Sequence, residues 1–131
     1  MDKKEIEVGG NTYLIGTIDA RKQFHVARRI APVLIALSSS LEGVASLDTM
    51  EKMMSKAAEV VSKMPEDDVD YVLNACLTVA RRKSGDSWAR VMTGTNLQFA
   101  DMGMDEMLRI TVETIKENLG GFFLTVAGGQ Q

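Results

Sequence analysis

FHVARRIAPVLIAL, residues Phe24 to Leu37, is the stretch on which the reading of the fold turns. Asp19 is a good N-cap, so a helix is predicted from about Ala20 to Ser38. Phe24, Ala27, Ile30 or Ala31, Leu34 and Leu37 recur at three- and four-residue steps and form the predicted core face. His25, Arg28 and Arg29 fall away from that face, as a solvated side. Pro32 removes a backbone donor and crowds the carbonyl of Arg28, at a cost of about 3 kcal/mol in a regular helix. A kink, or two helices meeting near Ala31, is therefore expected. Beyond Pro32 the run Val33–Leu37 is apolar on every side and cannot all face one small core. Part of it is expected to meet another chain.

Upstream, Glu5–Val8 and Thr12–Thr17 flank the turn signal GGN, which predicts a β-hairpin. One face of that hairpin must pack on helices, because an isolated hairpin is only marginally stable. Downstream, Asp48 and Glu51 resemble a capping box that opens a second helix. Its apolar stripe runs through Met50, Met53, Met54, Ala57, Ala58, Val61 and Met64, and Pro65 ends it. A third helix is predicted from Glu66 to Lys83. Acidic residues stand at its start and Arg81, Arg82 and Lys83 at its end, as the helix dipole favours. Its predicted buried side carries Val69, Val72, Leu73, Cys76, Leu77 and Ala80.

The segment Ser84–Gly103 is the least regular. Trp88–Met92 and Asn96–Phe99, separated by TGT, can pair as a second short hairpin, with plain loop as the alternative. A last helix is predicted from about Met104 to Asn118, with Met104, Met107, Leu108, Thr111, Ile115 and Leu119 on one face and Gly120 and Gly121 as C-cap candidates. The predicted fold is thus mainly α: four to five helices packed with a short N-terminal β-hairpin, in a single domain over residues 1–131 with a flexible tail at 124–131.

Composition bounds function more than it defines it. The chain has 131 residues, 45% of them hydrophobic and 25% charged, with a net charge of −3. Those are ordinary globular values, and the charge gives no general pull toward nucleic acid. Cys76 is the sole cysteine, which excludes an internal disulfide and suits a reducing compartment. The start MDKKEIEV has no apolar signal segment, and the longest apolar run falls short of the roughly 18 residues of a membrane span. A cytoplasmic location and no membrane partner follow as expectations.

No catalytic constellation emerges. His25, the only histidine, has no carboxylate three or four residues away to orient it. One His and one Cys do not make a zinc site. EDDVD lacks the order of a calcium loop, and no phosphate-binding loop is present. No cofactor, metal or enzymatic activity is expected. Nine methionines against four Phe, two Tyr and one Trp point instead to adaptable apolar contacts. Val33, Leu34, Ile35, Leu37, Met50, Met53, Met54, Phe122 and Phe123 are the candidate partner-binding residues.

QFHVARRIAPVL after a short hairpin, then MPEDDVDYVLNACL, WARV and ENLGGFF, occur in an order that resembles the tail assembly chaperones of long-tailed bacteriophages. The resemblance runs from about Tyr13 to Phe123. It implies a non-enzymatic protein of the bacterial host cytoplasm that binds the tape measure protein, supports tail tube assembly and leaves before the tail is finished. It further implies self-association, and a longer frameshifted form that would contact the tail tube protein. This chain would be the short form. The rival reading is a small helical regulator of a phage or prophage that binds nucleic acid or a host protein.

Overall fold

A computed structural model describes residues 4–40, 55 and 58–127. The GG turn forms as its glycines suggest. β1 (Lys4–Val8) pairs antiparallel with β2 (Asn11–Ile15) across a two-residue loop in which Gly9 and Gly10 have φ of 59° and 82°. Both angles lie where side chains are disfavoured, so the loop selects glycine. Ile6, Tyr13 and Ile15 point to one buried face.

Helix α1 (Ala20–Ser40) starts as predicted, with Asp19 Oδ1 accepting from the Lys22 amide at 2.9 Å. Two expectations for it are corrected. It is one helix and not two meeting near Ala31, and it continues through Pro32, which lies on the exposed side, where water can meet the carbonyl that loses its donor. Its buried residues are Val26 and Ile30, with Ala27 packed beside them, whereas Phe24 is 63% exposed. The face at Val26 and Ile30 packs against α2 (Glu66–Thr78), and Phe24 falls outside that contact.

The predicted second helix lies largely outside the described residues. Residues 58–62 are helical, and the Lys63 and Met64 amides close on the carbonyls of Val60 and Val61 before Pro65. In α2, Val72, Ala75, Cys76 and Leu77 are buried, close to expectation. The helix ends at Thr78 instead of Lys83. Arg81–Ser84 is a strand, β3, paired on one side with β2 and on the other with β4 (Ser87–Arg90). The missed signal is SGDS. Gly85 at φ 63° opens a two-residue loop between Ser84 and Ser87, a hairpin turn that overrides the dipole argument for the basic run.

The second hairpin exists in part. β5 (Met92–Thr93) pairs with β6 (Asn96–Leu97), while Trp88 belongs to the larger sheet. The last helix, α3 (Met104–Ala127), passes through Gly120 and Gly121 and continues to Ala127, so those glycines do not cap it. The expected tail from residue 124 is helical as far as Ala127, and residues 128–131 lie outside the described residues.

The class is therefore a mixture of helices and sheet rather than mainly α. An antiparallel sheet in the order β1-β2-β3-β4 takes in the N-terminal hairpin, and a two-stranded ribbon follows it. One core cluster joins Ile6, Tyr13 and Ile15 of the sheet to Leu77, Val91 and Ile110. The other joins Ile18, Val26, Ile30, Val72, Cys76 and Leu119 between the helices.

Candidate interaction surface

Which side of α3 faces water is settled by polar contacts rather than by apolar pattern. Glu106, Thr111, Glu113 and Thr114 are buried on this helix, while Met104, Leu108 and Val112 are 71%, 46% and 50% exposed. That reverses the usual sorting, and each inward polar group has a reason to be inside. The Tyr13 hydroxyl, fully buried on β2, donates to Glu106 Oε1 at 2.9 Å. Burial, and then this carboxylate, push the Tyr13 phenol up to about 12. Glu106 also packs against the β1–β2 turn, where a Cβ on Gly9 would run into its carboxylate.

Glu113 gathers cations from two elements. Lys4 Nζ of β1 reaches Oε1 at 2.8 Å, and Arg109 Nε reaches Oε2 at 3.2 Å, with Lys116 Nζ at 3.7 Å. The Lys4 hydrogen bond is the first cause that holds the Glu113 carboxyl below the usual range, against the opposing effect of burial. The same contact raises the Lys4 ammonium. Thr111 and Thr114 satisfy their hydroxyls on the carbonyls four residues back.

Further along, Asn118 joins α3 to the connection that leads into α1. Its Oδ1 accepts from the Ile18 amide at 2.8 Å and from Gln23 Nε2 at 3.3 Å, and its Nδ2 donates to the carbonyls of Gly16 and Thr114. A second clamp holds the approach to α3. Arg82 makes a bidentate pair with Asp101 at 3.0 and 2.9 Å and lies 4.3 Å over the Phe99 ring. Their shared hydrogen bond lowers the Asp101 carboxyl and raises the Arg82 guanidinium.

With α3 so oriented, Met104, Leu108 and Val112 form an outward row at i, i+4, i+8, about 12 Å long. The helix continues the same side into Ile115 and Leu119, which pack in the helical core. The uncovered row is therefore the free end of a stripe whose other end is buried.

A second uncovered region lies along α1 and α2. The exposed Phe24 ring meets His25 edge-on at 5.4 Å, and His25 meets Tyr71 of α2 at 6.0 Å. Arg29 lies 4.1 Å over the Tyr71 ring, and its Nε stands 3.2 Å from Asp68 Oδ1. That contact is an ion pair without hydrogen-bond alignment, since the Nε–H finds no acceptor. Beside it a groove of about 310 Å³ is lined by Arg28, Arg29 and Pro32 of α1, by Val60, Lys63 and Met64, and by Pro65 and Asp68. Arg28 Nε donates to His25 Nδ1 at 3.1 Å, so the ring is engaged by a cation and not oriented by a carboxylate. Cys76 is fully buried, and burial pushes its thiol up to about 12, far from a nucleophile's range.

The residues predicted from sequence divide as follows. Val33 is half-buried on α1 next to the groove residue Pro32. Leu34, Ile35 and Leu37 lie on α1 and Phe122 and Phe123 on α3, with their side chains outside the described part. Met50, Met53 and Met54 lie outside the described residues. Met104, Leu108 and Val112 were missed as surface. Periodicity puts Met104 and Leu108 on one face with Ile115 and Leu119, and the one signal that this end of the face meets water is the pair of glutamates, Glu106 and Glu113, on the opposite side.

No helix among the described residues is long and apolar enough to cross a membrane. No protein of characterised function and no solved structure matches the chain. A family model does, that of the phage tail assembly chaperone protein, TAC, over residues 9–130. The match takes in all four sequence blocks and the elements that hold α3 in place from β2 onward, so this chain belongs to the phage tail assembly chaperone protein family.

Proposed function

We propose that this chain binds the tape measure protein during tail assembly in the host cytoplasm, supports assembly of tail tube subunits around it, and is absent from the finished tail. Family membership over residues 9–130 carries the reading. It acts by covering apolar helix surface on its client and catalyses no reaction. A long client with many similar helical stretches is met best by side chains that repack, which suits the nine methionines of this chain.

Met50, Met53 and Met54, the back half of α1 from Val33 to Leu37, and Phe122 with Phe123 make up the contact surface in this reading. The uncovered row Met104, Leu108 and Val112 is added to them. Part of the same apolar surface is covered by a second copy when no client is present, and a longer frameshifted form contacts the tail tube protein.

Co-expression with the tape measure protein of the same phage tests the proposal. The client is expected to stay soluble and to co-purify with the chain. Replacing Met50, Met53 and Met54, or Met104, Leu108 and Val112, by Ser is expected to abolish co-purification while circular dichroism remains native. A client that is equally soluble without the chain would overturn the function. Unchanged co-purification by both triple variants would overturn the surface. Sequence-specific DNA binding at low salt, with no effect on the client, would favour a regulator instead.

A further inference from the structure

The solvent face of the four-stranded sheet carries positive charge that nothing in the described fold neutralises. Register sets Arg81 of β3 directly opposite Arg90 of β4, and Lys83 opposite Trp88. Residues alternate between faces along a strand, so these four stand on the side away from Tyr13 and Arg82. Arg81, Lys83 and Arg90 are exposed and Trp88 is half-buried.

Several other cations of the fold are held: Arg82 by Asp101, Arg29 by Asp68, and Lys4, Arg109 and Lys116 by Glu113. Arg81, Lys83 and Arg90 make no ion pair among the described residues. Like charges directly opposite on neighbouring strands are destabilising, and the Arg81–Arg90 pair is of that kind. The acids on the same face do not relieve it. Glu5 of β1 shares the row of Leu14 and Arg81, two strand spacings or about 10 Å away, which is about one screening length in physiological salt.

We propose that Arg81, Lys83 and Arg90, around Trp88, form a docking site for an acidic segment of a partner polypeptide. Charge and size both select this partner over nucleic acid. The basic patch is two strands wide and about 7 Å long, and a phosphate backbone that crosses the sheet would carry its charge onward over Glu5 and Glu7. Trp88 and Leu14 supply apolar surface for the aliphatic stems of glutamates, whereas the patch holds one aromatic ring where a base-stacking platform uses several. The site is separate from the apolar surfaces assigned to the client and does not depend on that assignment.

Trp88 is the chain's only tryptophan, so its emission reports on the patch directly. The probe is a labelled peptide of alternating Glu and Val, followed by Trp88 fluorescence and by anisotropy. Saturable binding is expected at low salt. It is expected to weaken about tenfold in Arg90→Glu, and to weaken as salt rises from about 50 to about 200 mM. Arg90→Glu turns a like-charge pair into an opposite one, so its melting temperature is expected to equal or exceed that of the parent chain. Arg21→Glu, which removes an exposed cation of α1, should leave binding unchanged. The proposal is overturned by absence of saturable binding at low salt, by equal loss in Arg21→Glu, or by a lowered melting temperature in Arg90→Glu. A single-stranded oligonucleotide that binds more tightly with the same Arg90 dependence would assign the patch to nucleic acid. A salt-sensitive dimer lost in Arg90→Glu would assign it to a second copy.

Discussion

Replacing Tyr13 by Phe removes one oxygen and tests whether a buried tyrosine–glutamate contact orients α3. The ring stays in the core, fully buried, so the apolar contribution is retained. What is lost is the donor to Glu106 Oε1 at 2.9 Å, on a carboxylate that is itself 7% exposed. A hydrogen bond to a charged group contributes about 1.5–3 kcal/mol, and the abandoned carboxylate has little water to turn to. A loss of about 2 kcal/mol is expected, which for a chain of this length lowers the melting temperature by about 7 °C. Thermal unfolding followed by circular dichroism measures it, and a double-mutant cycle with Glu106→Gln isolates the pair. The pH dependence gives a second reading. The folded phenol is raised from its ordinary value near 10 to about 12, so this contribution is complete below pH 10 and is lost as pH climbs toward 12. Tyr13→Phe should remove that alkaline loss. A Tyr13→Phe variant within about 0.5 kcal/mol of the parent, with an unchanged alkaline profile, would refute the reasoning, since surface changes alone stay in that range.

Three further outcomes follow from named contacts. Lys4→Met removes the leading cause of the depressed Glu113 carboxyl, whose contribution is present above the ordinary carboxylate range and lost as pH falls. The acid-unfolding midpoint should therefore move to higher pH, as read by tryptophan fluorescence across an acid titration. Gly16→Ala would press a Cβ into the carbonyl oxygen of Val79 where the β2–α1 connection crosses the end of α2, and a loss of about 1–3 kcal/mol in urea unfolding is expected. Cys76 should resist iodoacetamide in the folded protein and react only under denaturing conditions, because its thiol is buried and pushed up to about 12. Mass spectrometry after brief labelling distinguishes the two states.

How far the fold was legible depended on how far apart the deciding residues lie. Gly9 and Gly10 announce their turn because the φ requirement is local. Asp19 announces α1 and Pro65 the start of α2 for the same reason, through groups within one helical turn. The SGDS turn was equally local and was overlooked, because the preceding RRK suits a helix end by charge. Its strand character comes from pairing with β2, some 70 residues earlier, and Arg and Lys have little strand preference of their own. Three- and four-residue spacing groups Phe24 with Ala27 and Ile30, yet the face that meets α2 is centred on Val26 and Ile30 and leaves Phe24 exposed. Among the proposed contact residues, the apolar excess after Pro32 and the methionine bias are plain in the sequence. The row on α3 is not.

By itself the sequence determined the first hairpin turn, the starts of α1 and α2 and, through four ordered blocks, the family. Tertiary structure alone decided that Arg81–Ser84 is a strand joining β2 to β4 and that α3 turns Glu106 and Glu113 inward and Met104, Leu108 and Val112 outward. The reason is that a buried polar group is stable only beside its partner, and the partners are remote along the chain. Tyr13 and Glu106 are 93 residues apart, Ile18 and Asn118 are 100 apart, and Lys4 and Glu113 are 109 apart. Periodicity ranks the faces of a helix by hydrophobicity, and it carries no record of which distant side chain waits to satisfy a carboxylate.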